Sequence, residues 1–301
     1  MRIIEFLKSF PDEASCKDNF RMMREKEGVI CKKCQGEHHY WLMAKEQWQC
    51  SKCSFRTTLR SGTVMEYSKM PFTHWYMAMA FMTFSKKGIS AKEVQRQLDR
   101  KHYHCVWNLM HKIRTSMGKR DTKYILKDMI EFDEAYFTTT VAKGTKLKRG
   151  KGSQKQVNTA VMAESTLLED VTTMKISSAC RYFKMKVLAD HRSEKVNETI
   201  NKSVEPDCIV FSDKSTSYVD ISNIVEAHLM EKSCDEVTNS TLKWVHLAIR
   251  NAKANFSSTY HKMKAKYLQN YLDEFCYKLN RRYFNTTIFD RLVIAVATKN
   301  W

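Results

Sequence analysis

The chain has 301 residues, of which 43% are hydrophobic, so it can bury a large core and is not disordered as a whole. Lysine and arginine number 51 against 33 acidic residues, and the resulting net charge of +18 favours a polyanionic partner. The sequence has no apolar run long enough for a membrane span, and residues 1–15 lack the features of a secretory signal. We therefore expect a cytoplasmic protein without a membrane partner.

Four of the ten cysteines form two C-x2-C pairs with 15 residues between them, namely Cys31, Cys34, Cys50 and Cys53. Four thiolates at this spacing can close a tetrahedron round Zn²⁺, and such a site leaves no open position for catalysis. We therefore predict a zinc ribbon with a structural zinc ion over residues 1–60. Two redox-active or coincidental C-x2-C turns are the alternative. The other six cysteines are scattered, which is typical of reduced, buried thiols.

Residues 61–122 have a helical pattern. The stretch WYMAMAFMTF predicts a buried helix. Ser90 and Glu93 have the spacing of a capping box that opens a second helix. A break at 99–103 follows, and apolar residues then recur at helical spacing from Val106 to Met117. Helix, break and helix with basic residues throughout predict a helix-turn-helix that contacts DNA, and an ordinary helical hairpin is the alternative.

From about Met129 the pattern changes to strands. MIEFDEAYF, QVNTAVMAE and YFKMKVLAD predict three strands, HRSEKVNETINKS a helix, DCIVFSD a fourth strand, and the chain is helical from Asn239 to about Tyr283. This order predicts an α/β fold for residues 123–301. The basic loop Lys146–Lys155 is a candidate phosphate contact, with a solvated surface loop as the alternative.

Two aspartates occupy positions that are typical of a ligand site. Asp133 lies inside the first strand, where an unpaired carboxylate is costly, and Asp213 ends the fourth strand, where α/β sheets place ligands. Two carboxylates brought together bind a hard divalent cation, Mg²⁺ or Mn²⁺. Such a cation activates a water or a 3′ hydroxyl at a phosphodiester. The alternative is that each aspartate only ends a strand or caps a helix.

The chain resembles insertion-sequence transposases that carry an amino-terminal zinc ribbon. The resemblance runs from about Arg21 to the end, over the two CxxC pairs and the stretches SGTVMEYSKMPFTHW, KKGISAKEVQRQL, IEFDEAYF, FSDKSTSY, LKWVHLAIRNAK and YHKMKAKYLQNYLDEFCYKLNRRYF. The ribbon and YLDEF…LNRR are its most specific parts. It implies a ribonuclease H-like catalytic domain, a mixed sheet with flanking helices, over residues 123–301.

In that family the active site has two aspartates, a variable third residue and a lysine; the third residue is Glu in many members and Asn or His in some subgroups. The resemblance assigns the aspartates to Asp133 and Asp213, the lysine to Lys253 and the third residue to His246, two helical turns before the lysine. Asn251 and Glu274 are the competing third residues. Arg250 and Ser258 stand where the family leads us to expect Ser and Gly. Neither belongs to the expected site. The alternative that this chain is a decayed, inactive copy of a transposase stays open.

These observations predict a DNA transposase. The ribbon and the helix-turn-helix would bind the terminal inverted repeats of the element, and the catalytic domain would cleave the ends and join them to target DNA. Double-stranded DNA is the expected partner, in a prokaryotic, nucleoid-associated setting, with a homo-oligomer in the synaptic complex. Two other functions stay open: a zinc-ribbon DNA-binding regulator with an inactive nuclease fold, and a structure-specific nuclease.

Overall fold

The computed structural model describes residues 1–144, 146–148, 153–170, 175–189, 192–231 and 241–298. The chain divides into two compact units. The amino-terminal unit is Met1–Arg120 with Arg281–Trp301, and the sheet unit is Asp121–Asn280. Among the described residues, no helix combines the length and the apolar character that a bilayer span needs.

The elements of the amino-terminal unit are helices α1 (Ile3–Ser9) and α2 (Glu13–Glu27), strands β1 (His39–Leu42), β2 (Gln47–Cys50) and β3 (Arg56–Thr58), and helices α3 (Phe72–Phe84), α4 (Ala91–Gln97) and α5 (Tyr103–Thr122), the last of which ends just inside the sheet unit. The elements of the sheet unit are strands β4 (Met129–Thr138), β5 (Gln156–Asp170) and β6 (Lys175–Val187), helix α6 (Ser193–Asn201), strands β7 (Ile209–Asp213) and β8 (Ala227–Glu231), and helices α7 (Lys243–Thr259) and α8 (Leu268–Asn280). The last helix is α9 (Ile288–Ala297).

The predicted helix, break and helix are present as α4 and α5. The Ser90 hydroxyl accepts a hydrogen bond from Glu93 N at 3.1 Å, so Ser90 caps α4. Only this half of the predicted capping box is present, because the Glu93 carboxylate accepts from Arg96 and Gln97. The break is ordered by a buried amide, since Gln95 Nε2 donates to Arg100 O at 2.8 Å and to Lys101 O at 3.2 Å. The apolar positions predicted for α5 are all buried: Val106, Leu109, Met110, Ile113 and Met117.

Helix α9 packs against α2 and α3, so residues 281–301 group with the amino-terminal unit. This differs from the predicted third domain, which ran to residue 301. The physical reason is an aromatic cluster in which the Phe289 ring lies 5.4 to 6.1 Å from the rings of Phe6, Phe10, Tyr76 and Phe84. This cluster brings residues from the first and last parts of the chain together. Local sequence patterns cannot predict a contact between segments so far apart.

The sheet unit contains one five-stranded sheet in the order β6-β5-β4-β7-β8. The first three strands are antiparallel neighbours, whereas β7 runs parallel to β4 and β8 runs parallel to β7. Strand β8 was not predicted, because it is a short edge strand that is largely exposed and lacks a clear alternation of apolar and polar residues. The predicted mixed α/β sheet with flanking helices is confirmed.

Helices cover both faces of this sheet. Helices α7 and α8 pack on the face that carries Ala135 and Phe137 of β4, and α6 with a 3-10 segment (Thr216–Asn223) packs on the face that carries Ile130 and Phe132. Side chains of β4 alternate between these two cores. The face on which a β4 residue lies therefore decides which helix it can meet.

Helix α8 also closes the edge strand β6 through side-chain amides. Gln269 accepts from Val187 N at 2.8 Å and donates to Met185 O at 3.0 Å. Asn280 accepts from Phe183 N at 2.7 Å and donates to Phe183 O at 3.0 Å. An edge strand whose polar groups are bonded in this way cannot pair with another chain there. Asn280 belongs to the LNRR stretch, so a specific part of the resemblance has a structural role here.

Candidate functional site

The four cysteines of the ribbon form a metal-binding cluster. Their Sγ atoms all lie within 4.8 Å of one another, and Cys31–Cys53 and Cys34–Cys50 are each 3.5 Å apart. Each C-x2-C turn folds back on itself: Gln35 N donates to Cys31 O at 2.9 Å and Ser54 N donates to Cys50 O at 3.0 Å. Four thiolates so placed fit a structural zinc ion with no position left for a substrate.

Local backbone geometry makes this cluster. Gln35 and Ser54, one after each C-x2-C, both have positive φ, 57° and 58°. A Cβ atom on Gly36 would lie 3.3 Å from the Sγ atoms of both Cys34 and Cys50, so a side chain there would press on two ligands. Burial raises the pKa of the Cys50 thiol, but backbone N–H groups and the neighbouring Cys34 and Cys53 thiols together lower it to about 7. Contacts between the thiols raise the pKa of Cys34, so the first protons leave the cluster from some of its thiols and not from all of them.

The two predicted aspartates lie on neighbouring parallel strands. Phe132 of β4 pairs with Ser212 of β7, and the next residue on each strand is Asp133 and Asp213. Residues at matching positions of neighbouring strands face the same side, about 4.8 Å apart between backbones. Asp133 faces α7, and the register therefore places Asp213 on that side too.

His246 is in direct contact with Asp133. Its Nε2 lies 3.2 Å from Asp133 Oδ2, and Asp133 Oδ1 accepts from Glu134 N at 2.7 Å, so both carboxylate oxygens are held. The His246 and Asp133 side chains keep 32% and 20% of their surface exposed, so the pair is open to a ligand. The bond to Asp133 raises the pKa of His246 against the effect of burial, and the charges of Glu131 and Asp213 raise it further.

Glu131, two residues before Asp133, holds the start of α7. Its side chain is only 4% exposed, and its Oε2 accepts from Trp244 N at 2.7 Å and from Val245 N at 3.0 Å. Burial raises the pKa of Glu131 to about 7, although both N–H groups favour the ionised form. Sequence reasoning missed this residue. The argument applied to Asp133, a carboxylate inside a strand, would have found it, because residues 131 and 133 share a face.

Glu134 belongs to the opposite side of β4. Asn158 Nδ2 donates to Glu134 Oε2 at 2.5 Å. Tyr218, buried on this face, has its pKa raised first by burial and then by the charges of Glu134, Asp213 and Asp133. The three carboxylates therefore act on one tyrosine, which indicates a concentrated negative potential at this point of the sheet.

The remaining candidates lie elsewhere on the helices. Lys253 and Asn251 are both exposed on α7, and Asn251 is turned about 140° from His246 round the helix axis. Glu274 of α8 is only 3% exposed and accepts a hydrogen bond from the Tyr260 hydroxyl at 3.4 Å. Of the three candidate third residues, His246 has the contact with Asp133. The assignment of roles stays a prediction.

Two family models match the chain. One is described as a transposase zinc-ribbon domain and matches residues 11–56, and the other is described as an ISXO2-like transposase domain and matches residues 125–280. The first contains all four ribbon cysteines, and the second contains Asp133, Asp213, His246 and Lys253. No curated protein matches the chain.

Among solved structures, the chain is similar to a crystal structure of the Mos1 mariner paired end complex with Mn, at 13% identity and a TM-score of 0.29 over 74% of this chain and 77% of that chain. A pre-cleavage Mos1 transpososome matches at 9% identity and a TM-score of 0.25, over 75% of this chain and 78% of that chain. The Mos1 strand transfer complex matches at 10% identity and a TM-score of 0.28, over 75% of this chain and 78% of that chain. At these TM-scores the likeness carries no argument about this chain.

Proposed function

This chain belongs to the ISXO2-like transposase family, because the matching domain spans more than half of its residues, and we propose that it moves an insertion sequence by cutting the element's ends and joining them to target DNA. The observation that carries the catalytic part is the contact between His246 and Asp133, beside Asp213, on one face of the sheet. The proposed catalytic residues are Asp133, Asp213, His246 and Lys253.

The donor set fits a hard divalent cation. Asp133 and Asp213 supply carboxylates, and His246 supplies an imidazole nitrogen, which suits Mn²⁺ better than Mg²⁺. Their ligand atoms do not all lie within 4.8 Å of one another, whereas those of the four cysteines do. The two aspartates would hold the ion as its charged ligands, with the His246 imidazole, water or DNA oxygens completing its shell. When bound, such an ion activates the attacking oxygen and stabilises the leaving oxygen at phosphorus.

The chain's own residues would position the DNA around that ion. His246 Nε2 contacts Asp133, which leaves the other ring nitrogen, Nδ1, to orient a water or a phosphate oxygen. Lys253 lies two turns further along α7 and is exposed, so its ammonium group can meet a phosphate as a point charge. In this proposal, end cleavage and joining to target DNA are each a direct displacement at phosphorus, without a covalent enzyme intermediate.

The helix-turn-helix supports recognition of the element's ends. Of the 20-residue helix α5, the exposed side chains belong mostly to the first two turns, at Tyr103, His104, Cys105 and Asn108. Asn108 Nδ2 and His104 Nδ1 are 2.9 Å apart, so the two side chains brace each other. The first turns of a second helix are the part that enters the major groove in such motifs, and asparagine is a reader of adenine. The ribbon would add a second contact.

A basic surface on the sheet unit supports contact with DNA that does not depend on its sequence. Residues 135–163 and 237–272 contain no acidic residue. The two stretches meet where Thr140 N donates to Met263 O at 2.7 Å. We call seven of the exposed lysines in these stretches, those outside α7, the lysine surface: Lys143, Lys146, Lys148, Lys155, Lys262, Lys264 and Lys266. Part of the predicted loop, residues 149–152, lies outside the described residues. Lysines bind phosphate as point charges and read no base.

A synaptic complex holds two ends at once, so we also propose that two or more copies act together on nucleoid DNA in a prokaryotic cytoplasm. Terminal inverted repeats in the DNA that flanks the gene would support a transposase over a regulator or a structure-specific nuclease.

The direct test is substitution of the two aspartates. Asp133→Ala and Asp213→Ala should each abolish end cleavage and strand transfer in Mn²⁺ or Mg²⁺ while binding of the ends is retained, because no neighbouring group replaces the missing carboxylate. Wild-type protein that cleaves branched DNA but leaves the element's ends intact would support the nuclease. Wild-type protein that binds ends but never cleaves them would support the regulator with an inactive nuclease fold.

A further inference from the structure

A buried carboxylate lies beside the proposed site but has no role in the chemistry described so far. Glu131 Oε2 accepts two hydrogen bonds from the backbone of α7, at Trp244 N and Val245 N. These N–H groups belong to the first turn of the helix, where no partner exists within the helix itself. The residue at the N-cap position, Leu242, has no side chain that can accept such a bond. Glu131 therefore caps α7 from a different element, 113 residues earlier in the chain.

This cap is next to the contact that the site needs. Glu131 and Asp133 are two residues apart on one face of β4, and Val245 and His246 are consecutive on α7. Two side chains of β4 therefore bind the same turn of α7. Glu131 accepts hydrogen bonds from its backbone, and Asp133 contacts the His246 ring at 3.2 Å. A slip of α7 by one residue shifts it about 1.5 Å and turns it about 100°, which would carry the imidazole away from Asp133.

The fully buried apolar side chains below the helix are a weak determinant of this register, although Trp244 and Ile249 also pack there in part. Val245, Ala248, Ala252 and Phe256 bury the underside of α7 against β4 and β5. Apolar packing is non-directional, and two of these four side chains are alanines, which leave little shape to lock a register. Two hydrogen bonds to a carboxyl group on a rigid strand are directional, and the ionised form of that group is also favourable at a helix amino terminus.

We propose that Glu131 is a positioning residue that fixes the amino terminus of α7 so that His246 meets Asp133. The inference rests on the proposed function for its catalytic readout only. The location of Glu131 also suggests another role, that of a third carboxylate ligand of the cation. The proposal excludes that role.

The test compares Glu131→Gln, Glu131→Ala and a matched control in the full-length protein. Glutamine keeps an oxygen acceptor for Trp244 N and Val245 N but removes the charge, so Glu131→Gln should retain cleavage within roughly tenfold of wild type. Alanine removes the acceptor, so Glu131→Ala should lower single-turnover cleavage by roughly a hundredfold, the scale of a misplacement of about 1 Å. The KM or Kd for duplex ends should not change in either variant.

The control is Glu164→Ala. Glu164 is another fully buried carboxylate of the sheet unit, and it accepts from the Tyr124 hydroxyl at 2.9 Å and from Lys127 N at 3.1 Å. Both of these donors belong to the segment that precedes β4, not to α7. The substitution should therefore destabilise the unit without slowing cleavage by the folded fraction. Hydrogen exchange supplies a second readout: amides of Trp244, Val245 and His246 should exchange faster in Glu131→Ala and remain protected in Glu164→Ala.

Three results would overturn the proposal. If Glu131→Gln reduces cleavage as much as Asp133→Ala does, Glu131 is a ligand or charge partner of the cation. If Glu131→Ala cleaves at the wild-type rate, or leaves the exchange of the first α7 turn unchanged, core packing alone sets the register. Failure of the transposase assignment is distinguishable, because wild-type protein would then show no cleavage while the exchange comparison still decides the position of α7.

Discussion

The zinc ribbon and the acidic site of the sheet unit assemble their side chains over very different lengths of chain. The four ribbon cysteines all fall within residues 31–53, and each pair is shaped by one tight turn. Asp133 and His246 are 113 residues apart, and their contact depends on strand, helix and cap. A local site is defined by backbone turns, whereas a site built from distant segments is defined by register. The second is therefore the more sensitive to small displacements of whole elements.

The two regions also differ in what holds them in shape without a metal. The ribbon has three short strands of three or four residues and a small core around Trp48, so zinc binding would contribute much of its folding free energy. The acidic site lies on a five-stranded sheet with a core on each face. We expect the sheet to fold whether or not a cation is bound.

The largest expected effect follows from removal of a ribbon ligand. Cys31→Ser should abolish tight zinc binding and unfold the ribbon, because three thiolates cannot complete the tetrahedron. Specific binding of element ends should disappear while the sheet unit stays folded. Metal analysis should give about one zinc per chain for the wild type and for Cys105→Ser, whose exposed thiol lies outside the cluster. Because Cys105 lies on the proposed DNA-reading turns of α5, this variant is a control for zinc content and not for end binding. Zinc-free protein that still selects the ends would disprove the ribbon's role.

The next effect concerns the third residue of the acidic site. His246→Ala should lower cleavage by about a hundredfold, the scale on which a positioned acid, base or ligand acts. His246→Glu introduces the residue that the resemblance implies for many family members. It should retain activity and shift the preference from Mn²⁺ toward Mg²⁺, because it replaces nitrogen by oxygen. Cleavage rates in each metal measure both effects.

Asn251→Ala is the control on the same helix. Asn251 is exposed and lies on another side of α7, so its replacement should have a mild effect. If Asn251→Ala stops strand transfer and His246→Ala does not, the third residue is Asn251, and the contact at 3.2 Å between His246 and Asp133 is only structural.

A smaller effect is expected at the lysine surface. Replacing Lys262, Lys264 and Lys266 by glutamine should reduce the salt dependence of binding to random duplex DNA. The slope of log K against log salt should become shallower by about 0.9 for each phosphate that the variant no longer neutralises. Titrations at several salt concentrations measure it. The matched control replaces Lys123, Lys127 and Lys202, three exposed lysines of the same unit outside the two acid-free stretches.

Equal slopes for the two triple variants would show that the lysine surface does not bind phosphate.

Asn108→Ala should change sequence preference without changing the salt dependence of binding. It should reduce the preference for element ends over random duplex DNA while the salt slope stays the same, because a base contact carries sequence information and little charge.

The smallest effect is a pH dependence of stability in the sheet unit. Burial raises the pKa of Asp273 from 3.8 to about 6, although Lys186 and Gln269 oppose the change. A carboxyl group with a raised pKa contributes stability at low pH and loses it as the pH rises through about 6. The free energy of unfolding of Asp273→Asn relative to wild type should therefore increase between about pH 4 and about pH 7.5. Denaturant titrations at both pH values should measure it, and a difference that stays constant would contradict this origin.

Much of the proposed site can be assigned from the sequence because its signals are local. The C-x2-C spacing, the carboxylate inside β4 and the aspartate at the end of β7 each depend on a few neighbouring residues. The helical pattern predicted from Asn239 to about Tyr283 also places His246 and Lys253, seven residues apart, on one face. The interpretation of these residues as one site came from the family resemblance, since nothing local joins Asp133 to His246.

The sequence by itself determined the ribbon ligands, the helix pair α4 and α5, and the order of most strands, because turn geometry, capping and side-chain periodicity are properties of short segments. Only the tertiary structure decided that α9 returns to α2 and α3, that β8 extends the sheet, and that Gln269 and Asn280 close its edge. It also decided that Glu131 caps α7. Each of these depends on a partner far away in the chain, and the free energy of such an interaction appears only after both segments have been brought together.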